Sequence, residues 1–361
     1  MNAFKEKYMK IKLVAQRKQK PDFSKLGFGK YFTDHMLVWE YDADKGGWQE
    51  QCIMPYVDFA LGPACCSLHY GQGIFEGLKA YKTEDGKVTT FRPRDNFERM
   101  NKSASRLCMA NFDVDEALSG LDELIKIEQE WIPTAEGTSL YIRPFMFGTE
   151  PFLGVHPSKR FLFTIILSPV GSYYTHGLEP TKLIVEDKYT RASIGGTGEA
   201  KCMGNYAASL LAGEEAKKKG YDQVLWLDGE EKKYVTEVGS MNMAFVIDGK
   251  VVTPMLDGSI LHGITRDSAI KVLRAHGIEV EERKISIEEL VEASAAGRLQ
   301  EAFGTGTAAV ISPVGTITYK GKDIVINDGK MGKITEWLYD RITGIQRGKY
   351  ADDFGWVHGI N

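Results

Sequence analysis

The sequence of 361 residues contains few cysteines, and their spacing fits no structural role. There are five, an odd number, with no C-x-x-C pair and no histidine cluster at the spacing of a zinc site. Neither a secreted disulfide framework nor a metal site is therefore predicted. A chain of this length can bury enough apolar surface to fold without such cross-links.

The sequence also has no large excess of basic or acidic residues and no long apolar stretch. The chain has 45 Lys and Arg against 49 Asp and Glu, a net charge of −4, and so lacks the basic excess of proteins that bind nucleic acid. Its most apolar stretch, residues 161–170, is too short to span a membrane. The basic N-terminus has no apolar region of the secretory type. We expect a cytoplasmic protein with no nucleic-acid or membrane partner.

What the chain does contain is an ordinary globular composition, 43% apolar and 26% charged. At roughly 150 residues per domain, its length predicts two domains. Strand and helix patterns are mixed without strict alternation, which favours the α/β class in its mixed α+β form. Residues 171–181, rich in turn residues and aromatics, are predicted to connect a smaller domain, 1–170, to a larger one, 182–361.

The sequence also marks several helix ends. Apolar spacing predicts a helix over residues 95–109. A second helix is predicted over residues 205–219, because cations fill its last turn and a glycine follows. Thr265 is expected to cap a third helix, and Ser286 with Glu289 to open a fourth.

One segment places a single lysine among four glycines, directly before a predicted helix: Gly195-Gly-Thr-Gly-Glu-Ala-Lys201-Cys-Met-Gly204. Glycine allows a ligand to approach the backbone closely. A lysine held there can serve as a Schiff-base nucleophile when its surroundings favour the neutral amine. Taken alone, the pattern is more often a surface lysine in a flexible loop.

Three further segments can be interpreted in two ways. Glu237 is a lone carboxylate among small and apolar residues. This pattern fits either a buried functional acid or an exposed acid in a loop. Residues 304–308 can form a nest of backbone amides that binds an anion. Residues 262–266 can form a helix start whose amides bind a phosphate. Most segments of either kind hold no ligand. Together with Lys201 they supply the set that pyridoxal phosphate needs: an amine, a partner for the pyridine nitrogen, and phosphate donors.

These residues stand among longer motifs: residues 68–80 (LHYGQGIFEGLKA), 91–99 (FRPRDNFER) and 140–144 (LYIRP). Through them the chain resembles, nearly end to end, the branched-chain amino acid aminotransferases within the fold-type IV family of pyridoxal-phosphate enzymes. The resemblance implies a two-domain fold with the active site at the domain interface, a bound pyridoxal 5'-phosphate, and a homodimer.

The resemblance assigns the catalytic role to Lys201. This lysine would form the Schiff base with the cofactor and carry the proton between the substrate Cα and the cofactor C4′. Glu237 would keep the pyridine nitrogen protonated, and Tyr206 would hydrogen-bond the 3-oxygen of the ring. The phosphate would be bound by Arg99, Thr307 and the amides of Ile264 and Thr265.

The same resemblance implies a site that accepts two kinds of substrate side chain. The amides of Thr307 and Ala308, with Tyr141, would hold the α-carboxylate. Tyr70 and Arg143 would receive the distal carboxylate of glutamate, since a guanidinium suits a carboxylate through paired donors. The other residues assigned to the substrate are Phe28, Phe75, Tyr173, Ser240 and Val155, the last from a second subunit. Apart from the resemblance, the arginines also fit a helix surface or a structural ion pair, and the aromatics fit core packing.

The implied reaction is the reversible, ping-pong transfer of the amino group of L-leucine, L-isoleucine or L-valine to 2-oxoglutarate. Alternatives on the same fold are a D-amino acid aminotransferase, an aminodeoxychorismate lyase, and a non-catalytic protein that binds pyridoxal phosphate. Ala309 and Ser312 stand where some family members carry a C-x-x-C pair, so no redox switch is expected. Cys202, beside the lysine, is expected to be a bystander.

Overall fold

The structure is a computed structural model that describes residues 9–171 and 178–360. The chain divides into two compact units. The first is Met1–Tyr173 with Gln346–Asn361, and the second is Tyr174–Ile345. Both units combine helices with a sheet, so the predicted mixed α/β class is confirmed.

The first unit is built around one sheet. Among its described residues, the strands are β1 (Lys10–Ile11), β2 (His35–Asp42), β3 (Gly47–Trp48), β4 (Cys52–Pro55), β5 (Gly73–Phe75), β6 (Leu78–Lys82), β7 (Val88–Phe91), β8 (Ser139–Gly148), β9 (Arg160–Val170) and, near the C-terminus, β19 (Val357–Ile360). The helices are α1 (Cys66–Tyr70), α2 (Pro93–Arg106) and α3 (Val114–Glu128), with 3₁₀ turns at Ala43–Lys45 and Gln129–Trp131. The strand order is β1-β4-β2-β9-β8-β6-β7-β19, with β3 beside β2 and β5 beside β8.

Aromatic side chains fill the core of the first unit, between its sheet and its longer helices. Phe163 of β9 lies with its ring centroid 5.0 Å from Phe112 and 6.0 Å from Trp39 of β2. Phe97 of α2 is fully buried and joins the same group. The predicted helix over residues 95–109 is α2, which begins earlier because a proline fits the first helical turn.

The end of the chain differs from the prediction. Residues 182–361 were expected to form one domain, but the final strand β19 pairs antiparallel with β7 in the first unit's sheet. A four-residue strand of ordinary composition carries no sequence signal for the sheet it joins. The connection expected over residues 171–181 stays a prediction, because residues 172–177 lie outside the described part of the chain.

The second unit is also organised by one sheet. Its described strands are β10 (Thr181–Glu186), β11 (Gln223–Leu227), β12 (Val235–Val238), β13 (Met241–Ile247), β14 (Lys250–Pro254), β15 (Val280–Arg283), β16 (Leu299–Gly306), β17 (Val310–Tyr319) and β18 (Lys322–Val325). Its helices are α4 (Met203–Lys218), α5 (Ile264–Ala275), α6 (Ile287–Ala295) and α7 (Lys333–Gln346), with a 3₁₀ turn at Asn327–Gly329.

Strand pairing closes part of this second sheet on itself. The order is β12-β11-β10-β17-β16-β13-β14-β15, with β18 beside β17. An additional pairing of β12 with β13 joins six of the strands into a ring. Apolar side chains such as Leu225, Phe245 and Ile317 are completely buried in its core. The ring places β12, β13 and β16 side by side, so residues of β13 and β16 lie near Glu237 of β12.

Two of the predictions about helix positions and caps are confirmed, and one is wrong. Helix α4 lies where residues 205–219 were predicted, and Ser286 Oγ accepts from the Glu289 amide at 3.0 Å to cap α6. Thr265 does not cap α5, because the helix begins one residue earlier with Gly263 as its N-cap. Within the two described ranges, every helix is too short or too polar to traverse a lipid bilayer.

Candidate active site

Lys201 lies at the entrance to helix α4 in the second unit. The helix has its N-cap at the next residue, Cys202, which is buried. Lys201 Nζ donates a hydrogen bond of 3.0 Å to Tyr206 Oη, and the tyrosine lies in the first turn of the helix. The predicted nucleophile and the predicted partner of the cofactor 3-oxygen are therefore brought together by local helix geometry.

A buried asparagine fixes the glycine-rich segment that carries this lysine. Asn205 Nδ2 donates to the carbonyls of Thr197 at 2.7 Å and Ala200 at 2.9 Å. Its Oδ1 accepts from Thr197 Oγ1 at 2.7 Å. Gly198 is required in the same segment, since a Cβ there would lie 2.0 Å from the Ser259 carbonyl oxygen. The segment is thus a fixed structure, unlike the flexible surface loop that was the alternative.

Glu237 is a buried acid on strand β12, with 2% of its side chain exposed. Its Oε2 lies 2.6 Å from Arg191 Nη1, and its Oε1 accepts from Asn242 Nδ2 at 3.3 Å. Burial raises the pKa of Glu237 to about 7, against the opposing effect of the Arg191 and Lys201 cations. The folded protein therefore holds this proton more tightly than the unfolded chain, and stability from this group falls as pH rises from 4.5 through about 7.

Asn242 connects this acid to the start of helix α5. The residue lies opposite Glu237 across the β12–β13 pair, and its Nδ2 also donates to the Leu261 carbonyl at 2.9 Å. Gly263 must be glycine, because a Cβ there would lie 1.9 Å from Asn242 Oδ1. The close contact places the first turn of α5, with the amides of Ile264 and Thr265, next to the acid's strand.

The second predicted anion site, residues 304–308, lies one strand further along the sheet. Asn242 is in register with Thr305 of β16, and Thr307 and Ala308 form the turn from β16 to β17. The ring of strands therefore brings residues far apart in sequence to one end of β12, β13 and β16. Ser240 lies exposed in the β12–β13 turn, and no hydrogen bond joins its side chain to these groups in the described part of the chain.

Arg99 occupies a buried position on α2 in the first unit, with 9% of its side chain exposed. Its Nε and Nη2 donate to the two carboxylate oxygens of Glu76 at 2.8 and 2.7 Å. This paired geometry fixes the plane of the guanidinium. The structure rules out a helix-surface arginine and identifies Glu76, which the sequence did not single out, as the residue that orients it.

Four residues assigned to the substrate form one cluster in the first unit. Arg143 Nη2 donates to Tyr141 Oη at 3.1 Å, and its guanidinium lies 4.8 Å from the centre of the Phe75 ring. Phe28 meets Tyr141 edge-on with a centroid distance of 4.9 Å. Arg143 Nε is buried without a hydrogen-bond partner among the described residues, so the group keeps donor capacity for an anion.

Two other residues assigned to the substrate, Tyr70 and Val155, are exposed. Tyr70 ends helix α1 and donates its hydroxyl to the Leu153 carbonyl, whereas Val155 is 85% exposed. Phe152 and Leu153 are half exposed beside them. The structure therefore does not join Tyr70 to Arg143 by a hydrogen bond. Tyr173 lies outside the described residues.

The second unit's groups fit pyridoxal phosphate by their chemistry. Beyond its ion pair, the buried Glu237 Oε2 has no hydrogen-bond partner among the described residues, and such an oxygen suits a pyridine N–H donor. The start of α5 suits a phosphate, because first-turn amides point out of the helix end. Lys201 provides the amine.

The sequence profile described as amino-transferase class IV matches residues 73–317. The chain belongs to the class IV aminotransferases. This membership confirms the predicted enzyme class, a transaminase that depends on pyridoxal phosphate, and the predicted cofactor.

Named relatives cover nearly the whole chain. Branched-chain-amino-acid aminotransferase 2 of Bacillus subtilis is 55% identical over 97% of this chain and 96% of its own length. A probable branched-chain-amino-acid aminotransferase of Staphylococcus aureus is 57% identical over 96% of this chain and 97% of its own. The predicted membership of the branched-chain amino acid aminotransferases is confirmed.

Solved structures show the same fold. The branched-chain amino acid aminotransferase of Escherichia coli matches with a TM-score of 0.72 and 28% identity, over 91% of this chain and 99% of that one. The branched-chain aminotransferase of the archaeon Thermoproteus uzoniensis, solved with norvaline, matches with a TM-score of 0.74 and 28% identity, over 91% of this chain and 100% of that one. The predicted fold-type IV architecture is confirmed.

Asn205 offers a direct test of how the lysine segment is held. In Asn205→Ala the carbonyls of Thr197 and Ala200 lose their donor, so we expect unfolding free energy to fall by about 1–3 kcal/mol. We also expect the dissociation constant of pyridoxal phosphate to rise about tenfold, as for a loss of about 1.4 kcal/mol. Denaturant unfolding and absorbance titration of the apoprotein measure the two quantities.

Asn111→Ala is the matched control, since Asn111 is exposed and, among the described residues, its side chain accepts only from Ser105 Oγ. The control is expected to change stability by less than about 0.5 kcal/mol and cofactor affinity not at all. Wild-type cofactor affinity in Asn205→Ala would show that the segment holds Lys201 without this amide.

Proposed function

We propose that this aminotransferase transfers the amino group of L-leucine, L-isoleucine or L-valine to 2-oxoglutarate, giving branched 2-oxo acids and L-glutamate. The observation that carries the proposal is the 55–57% identity, over nearly the full length, to relatives named for branched-chain amino acids. The reaction proceeds in two half-reactions, because the amino group leaves the first substrate before the second binds.

The cluster around Arg143 supports this choice of substrates. Phe28, Phe75 and Tyr141 offer ring faces and edges that suit an aliphatic side chain. Arg143 adds a cation whose Nε has no hydrogen-bond partner in the described part of the chain, which suits the distal carboxylate of glutamate. One cluster of this kind accepts both side chains in turn, as a transaminase that couples leucine to glutamate requires.

In the proposed mechanism Lys201 does the proton chemistry. When bound, the cofactor supplies an electron sink for the charge left at the substrate Cα. Lys201 Nζ would take the proton from the substrate Cα and deliver it to the cofactor C4′, acting as general base and then general acid. The hydrogen bond to Tyr206 holds Nζ in place for both transfers. Glu237 would accept from the pyridine N–H of a bound cofactor, and its ionised form would keep that nitrogen protonated.

The remaining assigned residues bind anions. The α5 amides of Ile264 and Thr265, with Thr307 and Arg99, are proposed to hold the phosphate, whereas Ala308 and Tyr141 serve the α-carboxylate. Arg99 suits this task because its paired bonds to Glu76 fix the plane of the guanidinium. The roles of Ser240 and Tyr173 stay predictions.

We further propose that the chain acts as a homodimer. Phe152, Leu153 and Val155, here called the loop patch, expose apolar side chains at fractions of 49%, 60% and 85%. Neighbouring exposed apolar side chains of this kind are typical of surfaces that contact another protein. Val155 was assigned to a partner's substrate site, and its exposure suits that role. The cytoplasmic location stays a prediction.

Substrate specificity tests the proposed reaction directly. We expect the holoenzyme to transaminate L-leucine, L-isoleucine and L-valine with 2-oxoglutarate, and not D-alanine, in a coupled glutamate assay. Lys201→Ala removes the amine and is expected to lose all turnover. It is also expected to lose the visible absorbance band that the cofactor shows when it is bound to the lysine. Activity confined to D-amino acids, or none with any amino acid, would overturn the proposal, as would full turnover in Lys201→Ala.

The loop patch makes a separate prediction about assembly. Val155→Glu puts a charge on this surface, so we expect the dimer dissociation constant to rise at least about tenfold, which corresponds to about 1.4 kcal/mol. Analytical ultracentrifugation measures it. Val325→Glu, a change of another exposed valine, is the control and is expected to leave the dimer intact. A wild-type monomer, or equal effects of the two variants, would contradict the proposal.

A further inference from the structure

Arg191 was not singled out in the sequence, yet it makes the closest charged contact with Glu237. Its Nη1 lies 2.6 Å from Glu237 Oε2, and both side chains are more than nine-tenths buried. The same Nη1 donates to the Ser259 carbonyl at 3.3 Å. Arg191 lies in the connection between β10 and α4, the connection that also carries Lys201.

The connection is held firmly just before the arginine. Lys232 Nζ donates to the Tyr189 carbonyl at 2.7 Å and to Thr190 Oγ1. These bonds fix the backbone next to Arg191, and the Ser259 carbonyl fixes the far end of its side chain. The guanidinium is therefore held in a defined position beside the acid.

A buried carboxylate needs a cation that stays charged throughout the reaction. Without one, desolvation favours the protonated, neutral acid. Two cations act on Glu237, those of Arg191 and Lys201. Lys201 cannot keep this role, because its amine reacts with the cofactor and gains and loses protons. A guanidinium does not deprotonate in proteins, so of these two cations Arg191 is the one that supplies a constant charge.

We propose that Arg191 is a positioning residue that keeps the Glu237 carboxylate ionised and oriented toward the pyridine nitrogen of the cofactor. The inference rests on the proposed function. One proton is shared between the carboxyl group and the pyridine nitrogen. With Arg191 present, the proton resides on the nitrogen and the ring withdraws electrons strongly. Without Arg191, the proton moves to Glu237, the nitrogen becomes neutral, and the removal of the Cα proton slows.

The experiment uses the full-length enzyme and two readouts. The first is the pH dependence of the pyridoxal-phosphate dissociation constant of the apoprotein, followed by absorbance. The second is the single-turnover rate of the holoenzyme with L-leucine. In Arg191→Met we expect the midpoint of the affinity profile to move up by at least about one pH unit, a tenfold change in proton affinity. We expect the half-reaction to slow at least about tenfold.

Two comparisons separate this role from general damage to the fold. Arg191→Lys keeps a cation but not the planar donor geometry, so its midpoint and rate are expected to lie between those of wild type and Arg191→Met. Arg283→Met removes an arginine that forms ion pairs with Glu281 and Glu289 instead. It is expected to match wild type in both readouts. Should Arg191→Met fail to fold, Arg191→Lys is still expected to raise the midpoint.

A double variant shows whether Arg191 acts through the acid. Glu237→Gln removes the titrating group, so adding Arg191→Met to it is expected to slow the half-reaction no further. An unchanged midpoint and rate in the Arg191 variants, or an equal slowing in the Glu237→Gln background, would overturn the inference. These outcomes differ from a failure of the proposed function, which would appear as a wild-type enzyme without leucine turnover.

Discussion

The geometry of the second unit depends on one buried carboxylate, that of Glu237. An acid with almost no exposure is stable in the ionised form only when charge and hydrogen bonds replace water. The second unit offsets part of the cost of burial with Arg191 at 2.6 Å and Asn242 at 3.3 Å. The neighbours that satisfy the acid also fix the connection to Lys201 and the start of α5, so the electrostatic requirement and the geometry of the site are solved together.

The ring of strands is what makes this arrangement possible. Pairing of β12 with β13 places Asn242 opposite Glu237, and pairing of β13 with β16 places Thr305 beside Asn242. Each pairing brings in a segment distant in sequence, and each segment carries groups suited to an anion. Gly263 shows how closely these segments approach, because even one added carbon would overlap with the Asn242 side chain. The site is therefore a consequence of strand order more than of any single motif.

The sequence predicted what local patterns encode. The glycine-rich segment, the helix after Lys201, the Ser286 cap and the isolated acid all have short-range signals, and the structure has each element in place. Arg191 and Glu76 were missed because their importance lies in partners brought near by sheet pairing and helix packing. Thr265 was placed wrongly as a cap because a glycine one residue before the helix leaves no side-chain signal. The last strand, β19, was missed for a similar reason, since its partner β7 lies at the other end of the chain.

The fold imposes an unusual protonation equilibrium on Glu237 before the cofactor binds. Difference infrared spectroscopy of the apoprotein, with Glu237→Gln as the reference, isolates the carboxyl band of this residue. We expect the protonated band to persist well above pH 4.5 and to disappear with a midpoint of about 7. A midpoint at or below 4.5 would show that Glu237 behaves as an ordinary solvated acid, and would contradict the account.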